Sequence, residues 1–162
     1  MSNPQADLII KMYFSAWEAQ NKQFADLLDK LPEEALMLET APGRNTGIYL
    51  LGHIVAVTDN MLKLMGFRDK MYPELFELFI KTPDKSGKEF PSAADLKARY
   101  HKVTNEVNNH CKTLSTEDWL SRHTAVSEED FAKEPHRNKL NILVSRTTHL
   151  ASHTGQMIYL FK

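Results

Sequence analysis

Hydrophobic positions recur at steps of three and four over four long stretches of this chain, with polar loops between them. In the first stretch, Ile10, Phe14, Trp17, Phe24, Leu27, Leu28 and Leu31 share one helical face. Asn3 ahead of Pro4 offers a cap and a first-turn proline, and Pro32 closes the pattern. A turn of helix is predicted over 32–38, and 41–45 (Ala-Pro-Gly-Arg-Asn) reads as a loop. A second helix is predicted from Thr46 to Met65, capped by Asn45 or Thr46 and ended by Gly66. It is apolar on most sides (Leu50, Leu51, Ile54, Val55, Val57, Met61, Leu64), which marks a buried helix. A short helix is expected after Pro73, and 81–89 reads as an exposed loop.

The third long helix opens at Ser92-Ala-Ala-Asp95, a capping-box pattern, and runs to about Leu114. Its stripe is Leu96, Tyr100, Val103, Val107, His110 and Leu114. Residues 115–137 read as a long linker holding Trp119, with a short helix after Ser127. Asn138 caps the last helix, which is predicted to reach about Tyr159. Leu143, Thr147, Leu150, Thr154, Met157 and Ile158 form its apolar face. Four helices of about 20 residues are each about 30 Å long, matched for side-by-side packing. The prediction is an all-α, single-domain four-helix bundle over 1–162, with short extra helices in the connections.

Composition narrows the function. Twenty Lys and Arg against 21 Asp and Glu leave a net charge of −1, without the basic footprint of a nucleic-acid binder. The N-terminus lacks a signal-peptide pattern, and no apolar run approaches the ~18 residues of a membrane span. The expectation is therefore a cytoplasmic protein without a membrane partner. One cysteine, Cys111, excludes an internal disulfide and any cysteine-based cluster. It reads as a small buried hydrophobe.

Seven histidines remain, several of them within apolar segments. His149 and His153 stand four apart on the last helix, so both imidazoles project to one side. Two ring nitrogens at that spacing can meet one metal ion. His53, mid-helix in an apolar run, is the natural third ligand. A buried imidazole without a partner would lose water from both ring nitrogens. Such an i, i+4 pair also arises by chance on polar faces, and a core histidine is more often hydrogen-bonded than metal-bound. The pair and His53 together bring the metal reading level with those alternatives on spacing alone. His149-Leu-Ala-Ser-His153 lacks the zincin glutamate, and no Glu-x-x-His or glycine-rich phosphate loop occurs.

Asn45-Thr-Gly-Ile-Tyr-Leu-Leu-Gly-His53-Ile resembles the second-helix motif of DinB-like proteins. The last helix, ending His149-Leu-Ala-Ser-His153-Thr-Gly-Gln156, resembles theirs, and its His-x-x-x-His-x-Gly-Gln is the most specific part. The resemblance implies up-down-down-up topology and a divalent metal, nickel or zinc, on His53, His149 and His153. It also implies a thiol-dependent S-transferase or isomerase that uses a low-molecular-weight thiol on a small-molecule substrate, or a hydrolase-like relative, in a homodimer. The alternatives are a non-catalytic metal-binding or stress-response bundle and a plain interaction bundle. Three imidazoles leave coordination positions open, as in catalytic sites.

Further candidates for substrate binding are Asn60, two turns past His53, Arg146, one turn before His149, and Gln156, one turn after His153. Arg146 suits a substrate carboxylate, with a surface cation as the bland alternative. Tyr13 and Trp17 read as core, as does His110. His101, His123 and His136 read as solvated or in loops. The stretch 71–80 (MYPELFELFI) reads as a cover over the bundle or a dimer contact.

Overall fold

A computed structural model describes residues 3–161 and is all-helical among them. Helix α1 spans Pro4–Lys30 and α2 spans Glu33–Leu36. Helix α3 spans Gly47–Leu64, and α4, Pro73–Phe76, runs on into a π-helical turn over Glu77–Lys81. Helix α5 spans Ala93–Cys111, α6 Thr116–Leu120, α7 Glu128–Lys133 and α8 Lys139–Met157. A 3-10 turn, Ile158–Leu160, follows.

Side-chain caps set the helix starts. Asn3, Thr46, Ser92, Ser115, Ser127 and Asn138 each accept a first-turn backbone N–H. Gly66, at φ 74°, takes the left-handed conformation that ends α3, as its sequence position predicts. The full capping box sits at Ser115–Asp118, inside the predicted linker. At Ser92 only the serine half forms, because Arg99 Nε holds the Asp95 carboxylate at 2.9 Å.

The bundle order is α1, α8, α3, α5, with α5 closing on α1. Helices α1 and α5 run antiparallel. Trp17 Nε1 donates to Asn108 Oδ1 at 2.8 Å, and Lys97 Nζ to the Leu28 carbonyl at 2.7 Å. Helices α3 and α5 run parallel. Tyr49 and Phe90 meet at their starts, and Arg68 pairs with Glu106 near their ends. Helix α6 packs against both α1 and α8 near their starts, where Thr116 bonds Asp7 and the Lys139 N–H reaches the Ser121 carbonyl. Helices α1 and α8 are therefore parallel, and α3 runs opposite to α8. The topology is up-down-down-up.

The core draws on every long helix, with Trp17, Phe24, Leu51, Ile54, Tyr100, Val103, Leu143 and Met157 almost fully buried. Thirteen residues of α3 are buried, in line with its all-round apolarity. The segment 71–80 covers the bundle: Leu75 and Phe79 are fully buried against it. Phe79 meets α3 at Gly52, where a Cβ would lie 2.4 Å from its ring.

Several expectations change. Tyr13 is 44% exposed, while Trp17, four residues on, faces the core. Ile158 is exposed because the backbone tightens to a 3-10 turn there and rotates it off the α8 stripe. Cys111 takes the place expected of His110 in the α5 stripe. A 3.6-residue helix drifts off a strict heptad, so His110 moves to the half-exposed flank and stacks on Phe67. His123 sits in a loop but is buried, with Nδ1 accepting from the Ala125 N–H at 3.2 Å. Burial, then Arg137, lowers its pKa. Cys111 is buried as expected, and burial pushes its thiol up to about 12.

Candidate metal centre

His53 lies in the second turn of α3, and His149 and His153 lie on successive turns of α8. Because α3 and α8 are antiparallel neighbours, the three half-buried imidazoles meet across their seam. His149 Nε2 stands 3.2 Å from His53 Nε2 and 3.0 Å from His153 Nε2. Two nitrogens bound to one tetrahedral ion at about 2.0–2.1 Å would stand about 3.4 Å apart. The spacing is therefore close to that of a ligand set. This is the single group of three or more potential ligands gathered among the described residues.

The outer ring nitrogens of His53 and His153 are engaged, and they set the tautomers of those two rings. His53 Nδ1 lies 2.8 Å from the Phe79 carbonyl. A carbonyl can only accept, so Nδ1 carries the proton and neutral His53 presents an Nε2 lone pair. His153 Nδ1 lies 2.7 Å from Gln156 Oε1, and with the amide in that orientation it too is the donor. Without an ion, His149 Nε2–H could satisfy one of these lone pairs well, and the other would face it at a shared contact. A cation at the centre would satisfy all three. Outer partners of this type are what ligating histidines require.

Electrostatics favour neutral rings. Burial lowers the pKa of His53, against the opposing pull of the Phe79 carbonyl, with His153 and Arg146 adding to the lowering. His149 is pushed down to about 4, first by burial, then by His153, His53 and Arg146. Neutral imidazole is the form that binds metal.

The Phe79 carbonyl comes from the π-helical turn after α4. That helix stops at Lys81, so its last carbonyls have no partner further along. His53 takes that of Phe79, and the Tyr49 hydroxyl donates to the carbonyl of Thr82, the residue just past the turn, at 2.7 Å. Asp59 ties the start of α4 to α3, its buried carboxylate accepting from the Met71 and Tyr72 N–H groups at 2.7 and 2.8 Å. Burial raises the Asp59 pKa, and those two bonds oppose it. None of Tyr49, Gly52, Asp59 and Phe79 was singled out from the sequence. The glycine directly before His53 was the one visible signal.

Residues 16–157 match the family model of the DinB superfamily, a span that takes in all three histidines. The chain belongs to the DinB superfamily. A crystal structure of a conserved protein from Enterococcus faecalis has the same fold as this DinB-superfamily chain. The TM-score is 0.63 over 93% of either chain, at 15% sequence identity. No curated protein matches the chain.

The remaining candidates in this DinB-superfamily bundle separate. Gln156 is exposed and is engaged with His153. Arg146 is half-buried rather than on the surface, close enough to His53 and His149 to disfavour their protonation. Asn60 is half-buried on the His53 stripe and makes no side-chain hydrogen bond among the described residues. A cleft of about 220 Å³ opens beside His153, lined by Thr40, Arg44, Asn45, Leu50 and Gln156. Larger hollows near the start of α1, by Asp7 and Trp119, gather no set of metal ligands. No helix among the described residues is long and apolar enough to cross a membrane.

Proposed function

We propose that this protein is a metal-dependent enzyme whose His53, His149 and His153 hold one divalent ion, nickel or zinc. It joins a low-molecular-weight thiol to a small electrophilic molecule, in the manner of an S-transferase. The observation that carries the reading is the convergence of three Nε2 atoms, those of His53 and His153 presenting lone pairs because their Nδ1–H groups face Phe79 and Gln156. A divalent ion on three neutral ligands would keep open positions and make a bound thiol or water easier to deprotonate.

The chain's own residues supply the rest. Phe79 and Gln156 hold the rings in orientation. Tyr49, one turn before His53, lies parallel to that ring at 6.5 Å and screens one side of it. The cleft beside His153 admits small molecules, with Arg44 and Asn45 at its rim. No carboxylate joins the cluster, so the site keeps a positive charge that favours an anionic ligand such as a thiolate.

The test is metal content by mass spectrometry on untagged protein, after incubation with zinc or nickel, beside His53→Ala, His149→Ala and His153→Ala. About one ion per wild-type chain, lost in each variant, is expected. Well under one ion in the wild type would sink the reading. The loaded protein is then assayed for conjugation of a generic electrophile with a panel of thiols. Full loading with no thiol reaction would leave the ion a structural tie between α3 and α8.

A further inference from the structure

Helices α3 and α8 each present one half-buried stripe toward their seam. On α3 it is His53, Val57, Asn60 and Leu64, and on α8 it is Ile142, Arg146, His149 and His153. Both run at steps of four, three and four, the spacing of one continuous helical face. The helices are antiparallel and His53 meets His149. In that register Arg146 falls beside Val57, and Ile142 near Asn60. Three residues, about 4.5 Å along the axis, separate Arg146 from His149.

Arg146 is unlike most other arginines of the chain. Of six, Arg68, Arg99, Arg122 and Arg137 form ion pairs. Arg44 is exposed to water. Arg146 is half-buried, has no ion pair among the described residues, and its Nε is a buried polar atom without a hydrogen-bond partner. Burial alone lowers its pKa, and no acidic group offsets it. Such a cation costs stability unless something compensates it. A planar guanidinium with an unpartnered Nε on a half-buried stripe is suited to gripping a carboxylate with two parallel hydrogen bonds.

We propose that Arg146 is the anion-recognition residue of the site, and that the molecule bound there is a small carboxylate. Its acid group lies on Arg146 while a second donor atom reaches the histidine cluster. This rests on the metal reading for the second contact but not for the first. The neutral Asn60 on the facing stripe adds a hydrogen-bonding group without repelling the anion.

The experiment uses the full chain loaded with cobalt(II), whose visible spectrum reports ligand exchange. Mercaptoacetate, a thiol with a carboxylate, is titrated beside the uncharged 2-mercaptoethanol into wild type, Arg146→Met and Arg146→Lys. Wild type is expected to bind mercaptoacetate about ten-fold more tightly, from a charge-assisted pair. Arg146→Met should lose that preference while keeping its affinity for 2-mercaptoethanol. An equal preference in both proteins overturns the proposal. The second readout needs no metal: malonate should raise the Tm of metal-free wild type but not of Arg146→Met. Ligand-free Arg146→Met should melt at or above wild type, because it lacks the unpaired charge. A lower ligand-free Tm, or an equal malonate effect in both proteins, would make Arg146 a structural residue. Failure of cobalt to load would overturn the metal reading, and the malonate comparison would still decide Arg146.

Discussion

His53 has its two ring nitrogens directed to different ends: Nδ1 to a backbone carbonyl and Nε2 to the cluster. Its neighbour Gly52 makes the first of these contacts reachable, because the Phe79 ring occupies the space a Cβ would need. Gly52→Ala should therefore push Phe79 outward and cost about 1–3 kcal/mol, read by urea denaturation. If Phe79 is what orients His53, metal affinity should fall by about 10–100-fold in the same variant. A normal affinity would show that His53 finds its position without Phe79. At this scale the sequence was legible where chemistry travels with residue type. Three histidines at the right spacings could be read, as could an arginine one turn away. A carbonyl 26 residues distant could not, because a backbone atom carries no residue signature. Tyr13 misled because its step to Trp17 fits a stripe, and a helix face of width 100° leaves a flanking aromatic out in water.

At the scale of elements, α3 is the scaffold and the α4 segment is the brace laid across it. Asp59 is the joint, a buried carboxylate that accepts two N–H groups from the loop entering α4. Asp59→Ala leaves both donors unsatisfied, at about 1–3 kcal/mol each. The expected result is faster amide exchange over 66–81 and weaker metal binding, with α1 and α5 unaffected. Uniform loss of protection throughout the chain would instead mean that the joint holds the whole bundle. The long helices were readable because a cap signal, a 3.6-residue period and a terminator agreed in each. Helix α6 was not, since five residues are too few to show a period, whereas the short α7 was announced by its Ser127 cap. Helix α6 is held by one deep anchor, Trp119, and by its capping box.

For the whole molecule, the clustered imidazoles tie stability to acidity. The folded-state pKa of His149 lies at about 4 and that of His53 below its ordinary value, whereas unfolded histidines titrate near 6.5. Between about pH 6.5 and 4 the unfolded chain therefore binds more protons, and stability falls as pH falls. Metal-free wild type should lose urea resistance more steeply between pH 7 and 5 than metal-free His149→Ala, and parallel profiles would contradict this. The window stops at pH 5 because ordinary carboxylates begin to titrate below it.

The topology also sets an order in time. Two of the three ligands sit on the last helix, 96 and 100 residues after the first. A chain emerging from the ribosome can complete α1, α3 and α5 and still own a single ligand. On the proposed metal reading, a complete ligand set would wait until α8 docks between α1 and α3. A chain cut short before His149 would keep one of the three clustered imidazoles and could not gather the set.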